Sequence, residues 1–162
     1  MISEFCNIGG QGFGHIKTER GKFENYPHLG NVIIEDNVEL FPYVNVDRAT
    51  LSTTRICRGA KIDHFCHIGH NTYVGENTII TAQVVLCGGS KINKESWIGV
   101  GSLIKDSIVV GNNVIVGMGS VVLKNIPNNE TWAGSPARPI DDFRILQNHF
   151  KSIIEFGVIN KE

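Results

Sequence analysis

Twelve aliphatic residues fall at intervals of six without a miss: Ile56, Ile62, Ile68, Val74, Ile80, Leu86, Ile92, Ile98, Ile104, Val110, Val116 and Val122. Neither an α-helix, with a period of about 3.6, nor an ordinary strand, with a period of about 2, produces that beat. The repeating unit is therefore the hexapeptide itself. Four residues after each aliphatic comes a small or β-branched partner, from Ala60, Cys66 and Thr72 through Ser102 to Ile126. Glycine often follows the aliphatic directly, as at Gly69, Gly75, Gly99, Gly111 and Gly117. One hexapeptide supplies a short strand and a turn, and three close a triangular coil. Aliphatic side chains fill its interior, small partners fit beside them, and glycine, asparagine and aspartate serve the turns. Stacked coils pair their strands in parallel, so a solenoid grows through contacts between neighbouring coils only.

Upstream, Ile34, Leu40 and Val46 keep the beat, but Ser52 falls where an aliphatic is due and Ile56 resumes it four residues late. The stretch Ala49–Arg55 is thus predicted to carry a bulge out of the coil. Ile2 and Ile8 are again six apart, so the chain opens with part of a coil. Between them and the regular repeat, residues 9–30 are irregular and polar, with Gly12-Phe13-Gly14 near the start. They read as a projecting loop, and loops of that size are often functional. At the other end, Pro136 and Pro139 stop the strand ladder. Asp141 and Asp142 then suit a helix start, and Phe143, Leu146, Phe150 and Ile153 form one apolar stripe. That stripe packs against the solenoid or a neighbouring subunit. The predicted organisation is all-β: a parallel β-helix over residues 1–140 with a loop near 9–30, then a C-terminal helix and tail over 141–162.

A net charge of −1 with scattered lysines and arginines carries no nucleic-acid footprint. No basic or apolar leader and no bilayer-length apolar run is present in the sequence. Cys6, Cys57, Cys66 and Cys87 show no ligand spacing, which fits reduced thiols and a cytoplasmic setting.

The informative outward residues cluster in Asp63-His64-Phe65-Cys66-His67-Ile68-Gly69-His70-Asn71. His64 and His70 share the second place of their hexapeptides and so lie on adjacent corners of one coil. One coil beyond His70 come Gly88 and Gly89. A histidine beside two glycines leaves an open notch in which backbone N–H groups can face a ligand. Such a notch suits an imidazole base next to an oxyanion donor. His64 and His67 read as solvated or hydrogen-bonded surface side chains. The spacings of three, three and six among His64, His67 and His70 lack the His-x4-His pair of the γ-type carbonic anhydrases, so no metal is expected.

From Gly9 to about Phe150 the sequence resembles the catalytic and C-terminal parts of the UDP-3-O-acylglucosamine N-acyltransferases of lipid A synthesis. The residues that carry the resemblance are Gly12-Phe13-Gly14, Pro27-His28-Leu29-Gly30, Asp47-Arg48-Ala49, Ile62-Asp63, Gly69-His70-Asn71 and Gly134-Ser135-Pro136-Ala137-Arg138-Pro139-Ile140, in that order. This resemblance implies the left-handed form of the β-helix, and a homotrimer with active sites between subunits. It also implies an acyl group delivered as a thioester. By position His70 matches the family's general base, and the N–H of Gly88 would hold the tetrahedral oxyanion. Asp63 is placed to orient the imidazole, with Asp47 of a packed coil as the alternative. Phe13 and Gly14 would line the acceptor sugar, with Asp47 and Asn71 on the same side.

The GSPARPI ending also resembles hexapeptide acetyltransferases that use acetyl-CoA. On that resemblance Lys124 and Arg138 meet the coenzyme phosphates, while Gly88, Gly89 and Asp106 line the pantetheine path. No cofactor is bound permanently; the co-substrate is acyl-CoA or acyl carrier protein, and both remain open. No stretch matches the family's uridine-gripping N-terminal domain, and a further family histidine falls at Ser107 here. The predicted activity is N-acylation of an amino sugar, nucleotide-linked, in lipopolysaccharide or surface-polysaccharide synthesis. The alternatives are O-acetylation of a sugar hydroxyl and a non-catalytic trimeric scaffold.

Overall fold

Each hexapeptide from residue 61 onward contributes a two-residue strand whose second member is the repeat aliphatic, from Lys61–Ile62, His67–Ile68 and Tyr73–Val74 to Val121–Val122. The computed structural model describes residues 1–155. Every third strand pairs in parallel, as in Val85↔His67 and Val85↔Leu103, and the coils build sheets of six, five and seven strands. The aliphatics Ile62, Ile68, Val74, Ile80, Leu86, Ile92, Ile98 and Ile104 stack inside with no exposure. Their strand neighbours Lys61, His67 and Tyr73 point outward, as the alternation of a strand requires.

The small partners do more than fit. Buried hydroxyls bond to carbonyls of the next coil: Thr78 Oγ1 donates to Asn93 O at 2.9 Å, Ser96 Oγ to Gly111 O at 2.9 Å and Ser102 Oγ to Gly117 O at 3.0 Å. Corners turn through the left-handed region, which asparagine tolerates at Asn37, Asn71 and Asn77. Phe5, Tyr43 and Phe65 adopt the same conformation at one corner and stack as a ladder, with ring centroids 5.0 Å apart at both steps. Ring stacking offsets the strain of those positions.

The interruption after Val46 is narrower than predicted. Residues 50–52 leave the coil, and a strand resumes at Thr53–Ile56, paired with Asn31–Ile34. Gly30 sits under the bulge, accepting no substitute: a methyl there would stand 2.5 Å from the Ser52 carbonyl oxygen and 2.7 Å from that of Ala49. Ile2 bridges Leu40, and Asn7–Gly10 pairs with Asn45–Asp47, so these residues are part of the solenoid.

The expected irregular loop proves to be ordered. Residues 15–25 form an antiparallel hairpin, His15–Lys17 against Phe23–Asn25, that projects from the solenoid. At the C-terminal end Pro139 joins the ladder after all, in a short antiparallel pair with Trp132 at its edge. Helix Ile140–Glu155 follows. Its stripe divides: Phe143 and Leu146 are half-buried, while Phe150 and Ile153 stay exposed. The tail 156–162 lies outside the described residues. Among the described residues no helix is long and apolar enough to cross a membrane.

Candidate active site

Parallel pairing at eighteen-residue register stacks the second place of each hexapeptide at one corner into a column: His70, Gly88, Asp106 and Lys124. With strands about 4.8 Å apart, this column runs about 14 Å from the histidine to the lysine. His70 lies over Gly88 so closely that a methyl on the glycine would stand 2.5 Å from Cε1 and 2.6 Å from Nε2. Gly88 is thus required by the imidazole above it. The N–H of Gly88 donates to no backbone carbonyl among the described residues, whereas that of Gly89 is held by His70 O at 2.7 Å. Only the first of the two glycines can offer its N–H to a ligand. Gly89, at φ +70°, closes the corner instead.

His70 is half-buried, and this burial holds its pKa below the usual histidine value. The His28 and His67 imidazoles push the same way, while Asp47 opposes them. A neutral imidazole at pH 7 follows, which is the form a general base needs.

The two candidate carboxylates, Asp63 and Asp47, sit in different surroundings. Asp63 engages the neighbouring histidine: its Oδ1 lies 2.6 Å from His64 Nδ1 and accepts the His64 backbone N–H at 2.8 Å. Burial raises the pKa of Asp63, but those His64 hydrogen bonds prevail and hold it low. Asp47, buried at 7 % exposure, is the carboxylate whose charge favours the protonated form of His70. It accepts from Asn45 Nδ2 at 2.8 Å and stands 3.7 Å from His67 Nε2. Asn71 is engaged with the bulge: its Oδ1 accepts from Thr50 N at 3.0 Å and Thr50 Oγ1 at 3.2 Å. Its amide therefore ties the bulge to the next coil.

On the other flank, buried Gly12 and Gly14 bring the hairpin base against the histidine. A methyl on Gly12 would stand 3.0 Å from His70 Cβ and 3.1 Å from its Nδ1. Phe13, between the two glycines, is 86 % exposed and borders a hollow with His15, Phe23 and Tyr26. At the foot of the column a cavity of about 720 Å³ is lined by Lys124 and Arg138, with Trp132 and Leu146 among its apolar walls. The structure thus joins the hairpin, His70–Gly88 and the Lys124–Arg138 pair along one flank. His28 and Tyr26 were not singled out in the sequence as site residues. The available signal was the Pro27-His28-Leu29-Gly30 segment, which belongs to the family resemblance, with Tyr26 directly before it.

The model of the bacterial transferase hexapeptide, six repeats, matches residues 53–88. Solved structures share the fold: UDP-N-acetylglucosamine acyltransferase of Francisella novicida superposes with a TM-score of 0.76 at 17% identity, over 85% of this chain and 49% of that one. UDP-N-acetylglucosamine O-acyltransferase of Moraxella catarrhalis gives 0.73 at 19% identity, over 98% and 63%. The chain is a hexapeptide-repeat protein. Its curated relatives narrow the class: UDP-3-O-acylglucosamine N-acyltransferase of Helicobacter hepaticus is 37% identical over 136 residues, and that of Christiangramia forsetii is 39% identical over 146. These alignments take in 84% and 90% of this chain but 42% and 43% of the relatives. The chain is a homologue of part of the UDP-3-O-acylglucosamine N-acyltransferases, spanning less than half of their length.

Proposed function

We propose that this chain transfers an acyl group from a thioester to the amine of an amino sugar, nucleotide-linked, in lipopolysaccharide or surface-polysaccharide synthesis. The observation that carries this reading is the His70 imidazole lying over Gly88, whose N–H is unclaimed by the backbone. Neutral His70 takes a proton from the sugar nitrogen as that nitrogen bonds to the thioester carbonyl carbon. Charge gathers on the carbonyl oxygen, where the Gly88 N–H stabilises it by about 3 kcal/mol. The C–S bond then breaks, and His70 returns its proton to the departing thiolate. Asp47 steadies the imidazolium that forms in between.

The donor runs down the column past Asp106 to Lys124 and Arg138, which meet its phosphates; the acceptor lies on the hairpin side, against Phe13. Both acyl-CoA and acyl carrier protein present a phosphopantetheine arm that fits this course. The active unit is a homotrimer, with the flank of one copy completed by the next. Exposed Trp97, Leu103, Ile115 and Met118 on the lower coils support that assembly.

Purified protein incubated with UDP-linked 2-amino sugars and either donor tests the reading by mass spectrometry. Amide product that disappears in His70→Ala supports it. Ester product would redirect it to O-acylation, and silence with both donors would favour a scaffold.

A further inference from the structure

An imidazole buried with neither nitrogen hydrogen-bonded is unfavourable, and an aliphatic residue would serve the fold better. His28 is 2 % exposed, and neither Nδ1 nor Nε2 has a partner among the described residues. Its neighbours belong to the site. The ring stacks on Tyr26 at 5.4 Å and meets His70 edge-on, with centroids 5.0 Å apart and planes at 84°. Glycines close over it: a methyl on Gly12 would stand 2.9 Å from His28 Nε2, and one on Gly14 2.6 Å from Cε1. His70 is thereby held between two surfaces, Gly88 on one side and His28 with Gly12 on the other.

We propose that His28 is a positioning residue, a wedge that presses the His70 imidazole toward Gly88 and keeps water from its inner side. The consequence for turnover rests on the acyl-transfer reading; the consequence for His70 itself does not. The titratable groups facing His70 are His28 from the segment after the hairpin, Asp47 from strand Asn45–Asp47 and His67 from strand His67–Ile68. Burial is the largest single influence on its pKa, so a wedge that maintains burial has leverage over the base.

Proton NMR titration of the histidine Cε1–H signals tests this on the full chain, without any substrate. His28→Ala opens a gap that admits water, and the His70 midpoint rises toward the ordinary histidine value. His28→Leu refills the gap but removes the neighbouring imidazole, so the midpoint falls back only part of the way and stays below that of the alanine variant. His28→Asn, with a smaller gap, shifts it upward by less and serves if the alanine variant does not fold. An unmoved midpoint in the alanine and asparagine variants overturns the proposal. So does a leucine variant shifted as far as alanine, because the imidazole rather than the wedge would then be responsible. Kinetics supply the second readout: kcat falls about tenfold in His28→Ala with donor KM unchanged, and leucine restores it. If wild-type protein turns over no substrate, the acyl-transfer reading fails, while the titration still decides the role of His28.

Discussion

Gly88 and His70 exclude any side chain between them: a methyl on the glycine would lie 2.6 Å from Nε2 of the histidine. Gly88→Ala must therefore push the imidazole aside. Because the conflict is with a side chain at a half-exposed corner and not with the core, the solenoid survives it. The expected result is a kcat lowered by roughly 10²-fold with a thermal midpoint close to wild type. Steady-state kinetics paired with calorimetry check it, and unchanged turnover would remove Gly88 from the mechanism.

His70→Ala takes away the base while leaving every interior contact in place. Turnover should fall by roughly 10²- to 10⁴-fold, the range of a lost general base. Sedimentation of the variant should match wild type, since the residue lies outside the aliphatic stack. Comparable activity in the two proteins would rule out His70 as the base.

Acid should affect rate and stability through the same group. His70 must be neutral to act, and burial sets its folded pKa below the ordinary 6.5. The acidic limb of kcat/KM should therefore lie below that value, with the rate lost as pH falls through it. For stability the unfolded chain binds the proton first, so between 6.5 and the lowered folded value it holds more protons than the native state. Stability from this residue is complete above 6.5 and declines as pH falls across that window. His70→Ala should flatten this part of the pH–stability curve, and an unflattened curve would mean that His70 is not buried as described.

The repeat was legible because its physics is local and periodic: an aliphatic every six residues, a hydroxyl or small side chain four later, a turn between. Burial of Ile56 through Val122 follows that pattern residue by residue. The hairpin was not legible, since His15–Lys17 and Phe23–Asn25 are too short to show an alternation. At the site, His70 and Gly88 could be paired because eighteen-residue register is implied by the repeat. Asp63 could not be separated from Asp47, because a nearer partner, His64, captures the Asp63 carboxylate. The engagement of Asn71 was hidden for a similar reason. Its partner Thr50 sits in the bulge, whose path the hexapeptide rule does not describe. His28 reaches His70 only through the hairpin's return, a tertiary relationship with no sequence period.

Ile98 has no exposure and lies mid-stack, with Ile80 and Val116 above and below it. Ile98→Ala should cost about 2–5 kcal/mol. Ile98→Asp places a carboxylate where no partner exists, and the variant should fail to show a cooperative thermal transition. A soluble Asp variant that melts like wild type would refute the inward stacking of the repeat aliphatics.

Lys124 and Arg138 stand apart from the reacting centre, at the cavity beneath the column. If they hold donor phosphates, they hold them equally before and during the chemical step. Their loss should then raise KM for the donor while leaving kcat near wild type, the signature of uniform binding. Lys124→Ala and Arg138→Ala are each expected to raise donor KM by about tenfold. The effect should shrink as salt rises, because both side chains reach solvent and their attraction is screened. A drop in kcat without a change in KM would instead tie the pair to the reacting end of the groove, and would reverse the direction in which the donor lies along the column.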